Sequence, residues 1–372
     1  MAELNPANTP DDPVPGTWML DCAVVPVLVL PLAVLFATTP YLLLVGAAYL
    51  AATAVLDEWF PRAGSSPRRR AHASAWGDLW LVLYGIDLIA FLAVALTLAG
   101  QPPSPAALPF FGLLITAGLI MGVGYNVGHD LLHRPSGSWR ASYGFLLLVL
   151  LLDSQLFVSH TYGHHANVGT ALDPATARRG ESLYRYFLRS VGGQYREAWA
   201  FEVRRLKRRG RSPLSLRNRV FAGALGSAAV LAAVGVGVGG WALALYLGAA
   251  LIGKLLFETA QYIQHYGLAR LPGRRVEARH SWDCSGAASR LFMLNQNNHA
   301  DHHANATVRC WELRLEPGAA RMPHGYISMM LLATVPFLWF RTIDPLVDRW
   351  SETGPGTGAP DGAAVPDPAG AV

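Results

Sequence analysis

The chain has 372 residues, 52% of them apolar and only 15% charged, with a formal net charge of +5. Soluble domains carry about 25% charge. A largely disordered chain is therefore excluded and a soluble enzyme is not expected; the whole-chain mean hydropathy of +0.27 and the long unbroken apolar runs read as an integral membrane protein. The basic residues, of which only Lys207 and Lys254 are lysine, sit between the apolar runs rather than on an aromatic-rich basic face, so nucleic acid is not expected as a partner.

Residues 1–16 are acidic and proline-rich and read as a disordered head, lacking the basic start and cleavage site of a signal peptide. Apolar runs follow at 18–37 and 40–56, at 79–99 and 107–127, and at 220–238 and 241–262. They pair into three hairpins, which predicts an all-α membrane protein of about six transmembrane helices with both termini on one side. The tight connections around 38–40, 100–106 and 239–240 contain no Lys or Arg, whereas Arg62, Arg68, Arg69, Arg70 and the basic segment 160–219 lie on the other side. The positive-inside rule places the large loops and both termini in the cytoplasm, with the runs in the cell inner membrane. The apolar stretches 141–158 and 326–340 leave three placements open: dipping into the bilayer, lying in its interface, or burial under the cytoplasmic part. The Gly/Pro/Ala-rich tail from Ser351 reads as unstructured, leaving 17–350 as the folded membrane domain. Cys22, Cys284 and Cys310 form no CxxC pair, so neither a disulfide framework nor a cysteine-ligated metal module is expected.

Nine of the twelve histidines fall in four places at or beyond the cytoplasmic ends of apolar runs. His129 and His133 form HDLLH. His160, His164 and His165 form HTYGHH. His265 lies in QYIQHYG, and His299, His302 and His303 form HADHH. Spacings of three and four put side chains on one helical face, so each group can offer two or three imidazoles to one centre. Neutral imidazole binds iron, copper, zinc and nickel, and nine nitrogens suit two ions rather than one. Metal-bound imidazoles usually donate their other N–H to a carboxylate or carbonyl. Asp130 and Asp301 inside the motifs, Asp153 seven residues before His160, and Glu258, Gln261 and Gln264 before His265 are the candidates. Charged groups inside apolar runs are costly, although Lys254 and Glu258, spaced i and i+4, can pair with each other. His72, His280 and His324 are read as ordinary structural histidines.

The order HDLLH, HTYGHH, YIQHYGL, HADHH resembles the membrane di-iron family of fatty-acid desaturases and hydroxylases, and within it the AlkB-type alkane monooxygenases, a branch that includes xylene monooxygenase. The run ALDPATARRGESLYRYFLRS (171–190), RHSW (279–282) and MPHGY (322–326) extend the likeness, which covers roughly residues 20–350. The resemblance implies that the nine histidines above are ligands to two iron ions, with O2 as co-substrate, no bound organic cofactor, and electrons from rubredoxin or ferredoxin and its NAD(P)H-dependent reductase. It implies hydroxylation of a terminal carbon of a medium or long alkyl chain drawn from the bilayer. Desaturation, fatty-acid hydroxylation, oxidative decarboxylation and alkyl-aromatic oxidation on the same scaffold are alternatives, and a metal transporter is the non-enzyme one. Four positions depart from the family pattern: Asp130, Ser159 and Gln264 stand where it has Glu, and Asn298 where it has Arg. Asp153 and Glu258 are then candidate replacement carboxylates. Trp76, Trp80, Leu119, Phe145 and Leu256 are the residues expected along a substrate channel. The arginines of 178–219 could face either an acidic redox partner or anionic lipid.

Overall fold

The structure is a computed structural model that describes residues 39, 41–59, 74–101, 107–284, 286 and 288–353. The first predicted run (18–37), the head 1–16, most of the arginine loop (60–73) and the tail beyond 353 lie outside the described residues. Among the described residues, five helices are long and apolar enough to cross a membrane: α1 (Leu42–Trp59), α2 (Ser74–Gly100), α3 (Ala107–Leu132), α7 (Arg219–Gly237) and α8 (Gly240–His265). They match the five predicted runs that fall within the described residues. Between them lie α4 (Trp139–Leu150), the composite helix α5 (156–167) and α6 (Leu183–Lys207). After α8 come the short helices α9 (Ser289–Met293) and α10 (His299–Ala304), then α11 (Tyr326–Ala333) and α12 (Pro336–Thr353). Strands β1 (Trp282–Asp283) and β2 (Ala320–Arg321) make a two-residue parallel bridge.

Helices α3 and α8 form the centre of the bundle, and small residues set how closely they approach. Gly118 and Gly122, one turn apart on α3, face Ile252 and Leu256 of α8, while Gly253 of α8 faces Met121. A Cβ at Gly118 would lie 2.5 Å from Ile252, closer than side chains tolerate. This is the small-residue packing that lets helices associate where lipid removes the hydrophobic driving force. The outward faces of α7 and α8 remain apolar, with Val236, Leu247 and Leu251 exposed.

Neither ambiguous stretch forms a single helix long and apolar enough to cross a membrane. The 141–158 stretch breaks after α4, in a turn where Asp153 N–H donates to Leu148 O (2.9 Å) and Leu152 N–H to Val149 O (3.1 Å). Leu152 takes φ +59° there, a left-handed position usually given to glycine. The carbonyls freed at this break accept from three tyrosines: Leu150 O from Tyr246, Leu151 O from Tyr125 (3.3 Å) and Leu152 O from Tyr195 (3.3 Å). A backbone leaving its helix beside lipid must find such partners. The 326–340 stretch is interrupted before Pro336, and its halves join Tyr262 and Tyr266 in a second buried cluster, where Trp339 meets both tyrosines at 5.2 Å.

Helix α6 is tied to the start of α7 by Glu202. Its carboxylate accepts from Arg205 (2.6 Å), from the Arg219 guanidinium (2.6 Å) and from Arg219 N–H (2.9 Å). Burial pushes this carboxyl up, but the hydrogen bonds from Arg205 and Arg219 outweigh that and hold it at about 2, against an ordinary value of 4.5. The stabilisation is therefore complete above about pH 4.5 and is lost as pH falls toward 2. Glu202→Gln should cost about 2 kcal/mol at neutral pH. In detergent melts repeated at falling pH, the gap between variant and wild type should narrow below pH 4.5.

Candidate metal centre

Helices α3 and α8 end on the same side of the bundle, and their last turns carry the first ligand candidates: His129 in α3, His133 just beyond it, and His265 as the final residue of α8. Helices α5 and α10 close over these ends and bring the remaining six. The nine imidazoles gather into two sets. His129, His133, His160, His165 and His302 form one, and His164, His265, His299 and His303 form the other, with the nitrogens of each set within 4.8 Å of one another. Both sets consist of histidine alone. They adjoin, since the His165 and His303 rings are 4.6 Å apart.

The nitrogen spacing is the informative quantity. His160 Nε2 and His165 Nε2 are 3.0 Å apart, and His165 Nε2 and His302 Nε2 are 3.1 Å apart. In the second set His265–His299 is 3.0 Å, His299–His303 is 3.1 Å and His164–His303 is 3.2 Å. Two nitrogens bound at right angles to one ion at about 2.1 Å stand about 3.0 Å apart. Burial, reinforced by neighbouring charge, pushes His133 down to about 3 and His160, His165, His299, His302 and His303 well below the usual imidazole range. Burial disfavours the charged form of these rings, so each keeps a nitrogen lone pair that can face a cation lying between them. His133 Nε2 is buried without a hydrogen-bond partner among the described residues. The donor set thus fits two first-row metal ions, and five nitrogens exceed the four of a structural zinc site.

HDLLH keeps both of its histidines in one set, as its spacing predicts, but HTYGHH and HADHH are each divided between the two. HTYGHH sends His160 and His165 to one set and His164 to the other, because residues 159–164 form a π turn. That turn aligns positions five apart rather than four. HADHH divides likewise: His299 and His303, one helical turn apart, share a set, while His302 faces the other.

The groups that orient the rings are mostly not those expected. His164 Nδ1 is 2.8 Å from Asp173 Oδ2, and Asp173 also accepts from Thr176 Oγ1 (2.6 Å) and Ala175 N–H (2.9 Å). Burial raises the Asp173 carboxyl, but His164 and these donors outweigh it and hold it below the ordinary range. His265 Nδ1 faces the His280 carbonyl at 3.4 Å. Asp283 accepts from Ala300 N–H (2.8 Å) in the first turn of α10 and so fixes the helix that carries three ligands. Arg270 donates to the carbonyls of Ala166 and Val168, at 2.8 Å each, and anchors the end of α5. Sequence reasoning missed all four residues. Only Asp173, in the ALDP run, carried a usable signal, since an Asp–Pro step commonly starts a turn.

Of the expected orienting residues, Gln261 stays beside the histidines, while the others have partners of their own. Asp130 pairs with Arg134 and accepts from Cys310 N–H (2.9 Å). Asp301 accepts from Asn305 (2.8 Å) and Arg314 N–H (3.1 Å). Gln264 donates to Gln296 O (3.0 Å). Gln261 and Ser159 border a narrow crevice with His160, His164, Asp173 and Glu197. Asn298 donates to Asn295 Oδ1 (2.9 Å) and Leu313 O (3.1 Å). Asp153, seven residues before His160, would point the same way only on a continuous helix, and the break after α4 places it outside the helix that carries His160. Lys254 Nζ lies 2.7 Å from Asp153 Oδ2 and 2.8 Å from Glu258 Oε1, and Ser190 and Gln194 complete the Glu258 shell at 2.8 Å each. Both carboxylates therefore serve Lys254. Of the channel candidates, Trp76 lies outside the residues whose side chains are described, and Trp80 is half-buried on α2. Leu119 packs toward Gly46 and Leu256 against Gly122, on the α1–α3–α8 side, whereas Phe145 meets Phe157 edge-on at 5.5 Å on the α4–α5 side. These residues do not share one wall.

Fold and site define a helical membrane protein with histidine clusters suited to metal binding. The chain belongs to the fatty acid desaturase family, whose model matches residues 103–330. It is 34% identical over 248 residues to the alkane 1-monooxygenase of Ectopseudomonas oleovorans, covering 64% of this chain and 61% of that protein. It is 30% identical over 291 residues to alkane 1-monooxygenase 2 of Alcanivorax borkumensis, covering 76% and 73%. It is 32% identical over 230 residues to the xylene/toluene monooxygenase hydroxylase component of Pseudomonas putida, covering 61% of each. The chain thus spans about three fifths of the length of the first of these relatives.

Two outcomes follow from the geometry. Asp173→Asn should lower metal affinity by about 10- to 100-fold while the protein stays folded, as read by metal analysis against a chelator series. Lys254→Met should cost about 3–5 kcal/mol, because it strands two carboxylates in an apolar core. Glu258→Gln, which keeps the Lys254–Asp153 pair, should cost less in the same melts.

Proposed function

We propose that this protein is an O2-dependent non-haem di-iron monooxygenase that hydroxylates the terminal carbon of a medium or long alkyl chain, with the nine histidines as the iron ligands. The observation that carries this reading is the pair of adjoining all-imidazole sets, five nitrogens and four, at the ends of membrane-crossing helices. The likeness to alkane 1-monooxygenases supports it. Two bound irons would supply the oxidant that an unactivated C–H bond requires and that side-chain acid–base chemistry cannot provide. In the balance, alkane, O2, two electrons and two protons give alcohol and water.

The protein's own residues hold and shield the site. His129 and His265 fix its depth through α3 and α8. Asp173 and the His280 carbonyl orient two of the rings. Burial keeps the imidazoles uncharged and keeps water out. Alkyl substrate enters laterally from the bilayer, where the bundle's outer faces are apolar. Lys254 is already neutralised by Asp153 and Glu258, which favours an unfunctionalised chain over a fatty-acid carboxylate. Electrons come from a partner of the rubredoxin or ferredoxin class with its NAD(P)H-dependent reductase. The protein sits in the cell inner membrane, with its histidine site and both termini cytoplasmic. The likeness to the xylene/toluene component favours an alkyl-aromatic methyl group as the second substrate reading. A transporter is disfavoured, because its ligands would sit near mid-bilayer rather than at helix ends.

The test feeds alkanes, alkyl aromatics and fatty acids side by side to cells expressing the protein with a reductase system, with products identified by mass spectrometry. Terminal alcohols from alkanes are expected. His265→Ala should lower bound iron and reduce product by at least about 100-fold. Full iron content and turnover in that variant would remove His265 from the ligand set.

A further inference from the structure

Helix α6 lies across the bundle rather than along it. Its 25 residues span about 37 Å and touch the membrane-side elements one after another. Tyr184 donates to Thr334 O (2.7 Å) at the α11–α12 turn. Ser190 and Gln194 bond Glu258 of α8, Tyr195 bonds Leu152 at the end of α4, and Glu202 holds Arg219 at the start of α7. Helix α6 thus passes from the α11–α12 turn, across the span α8 and the break after α4, to the start of the span α7.

One face of this helix is buried through Tyr186, Ser190, Gln194, Ala198, Glu202 and Leu206. The other exposes Tyr184, Leu188 (75% exposed), Tyr195 and Trp199. Their spacings of four, seven and four put them on one stripe. Arg185 and Arg196 are exposed beside it. The loop that follows repeats the pattern: Leu214 and Leu216 are largely exposed, set among the exposed Arg209, Arg211 and Arg217. Arg205 pins the loop through Arg217 O (2.6 Å), and two residues beyond Arg217 the apolar span α7 begins. Apolar and aromatic side chains interleaved with arginine are what the headgroup boundary of an anionic leaflet accepts: the rings and leucines reach the acyl edge and the guanidinium groups meet phosphate.

We propose that the exposed stripe of α6 and the Leu214–Leu216 loop form an interfacial surface seated in the cytoplasmic leaflet, where the flanking arginines bind anionic phospholipid headgroups. This assignment does not depend on the reaction proposed above. It rests on charge complementarity and on continuity with α7. It gives the basic segment to lipid and leaves the electron donor to dock elsewhere on the cytoplasmic face.

The test places a spin label at Leu188→Cys, Leu216→Cys or Arg275→Cys in a Cys22→Ser background, since Cys284 and Cys310 are buried. The full chain is studied in nanodiscs of phosphatidylcholine with and without phosphatidylglycerol. Labels at 188 and 216 should collide with dissolved O2 more than with a water-soluble nickel chelate, and the label at 275 should do the reverse. In a titration with spin-labelled phosphatidylglycerol, replacing Arg209, Arg211 and Arg217 with Gln should weaken binding by about fivefold per arginine. Chelate access at 188 and 216 equal to that at 275 would overturn the proposal. So would undiminished phosphatidylglycerol binding by the triple variant. Shielding of 188 and 216 by an added acidic redox protein, but not by the bilayer, would give the surface to that partner instead.

Discussion

Everything in this structure is arranged around nine uncharged imidazoles held with their nitrogens about 3 Å apart. Such an arrangement is costly by itself, since burial disfavours protonated rings and crowds polar nitrogens together away from water. The fold holds it through rigid helix ends, α3 and α8, whose separation is fixed by glycine contacts. Across those ends it lays two short ligand-bearing helices, α5 and α10. Those are pinned in turn by Arg270 and Asp283 rather than by their own helical stability, which would be negligible at such lengths.

Where charge or free backbone enters the apolar region, the chain provides a partner nearby. Three tyrosines take the carbonyls exposed at the α4 break. Lys254 is matched by two carboxylates that also receive Ser190, Gln194 and Gln155. These buried charges answer one another rather than the metal site. Intramembrane ionisable residues default to functional candidates, and here a local pairing accounts for them.

Much of the architecture was legible in the sequence, because a membrane helix needs only a long apolar run, and the five runs within the described residues became helices at nearly the expected bounds. The nine histidines could also be picked out, since clustered imidazoles beside apolar runs have few other uses. Their division between two sets was not legible. Spacing of i and i+4 presumes an α-helix, and nothing in HTYGHH announces a π turn. The α4 break was likewise hidden, because it places Leu152, rather than glycine, in the left-handed region. Asp173 and Asp283 reach the site only through tertiary folding, and neither stands at helical spacing from a histidine it supports.

The division of HTYGHH and HADHH between the two sets has a consequence for assembly. Helix α5 contributes two imidazoles to one set and one to the other, and α10 does the same in reverse. Neither pocket can be completed without ordering segments that also complete its neighbour. An ion bound by one set would therefore order segments that also build the other. A single-residue insertion or deletion inside the π turn would disturb both positions at once.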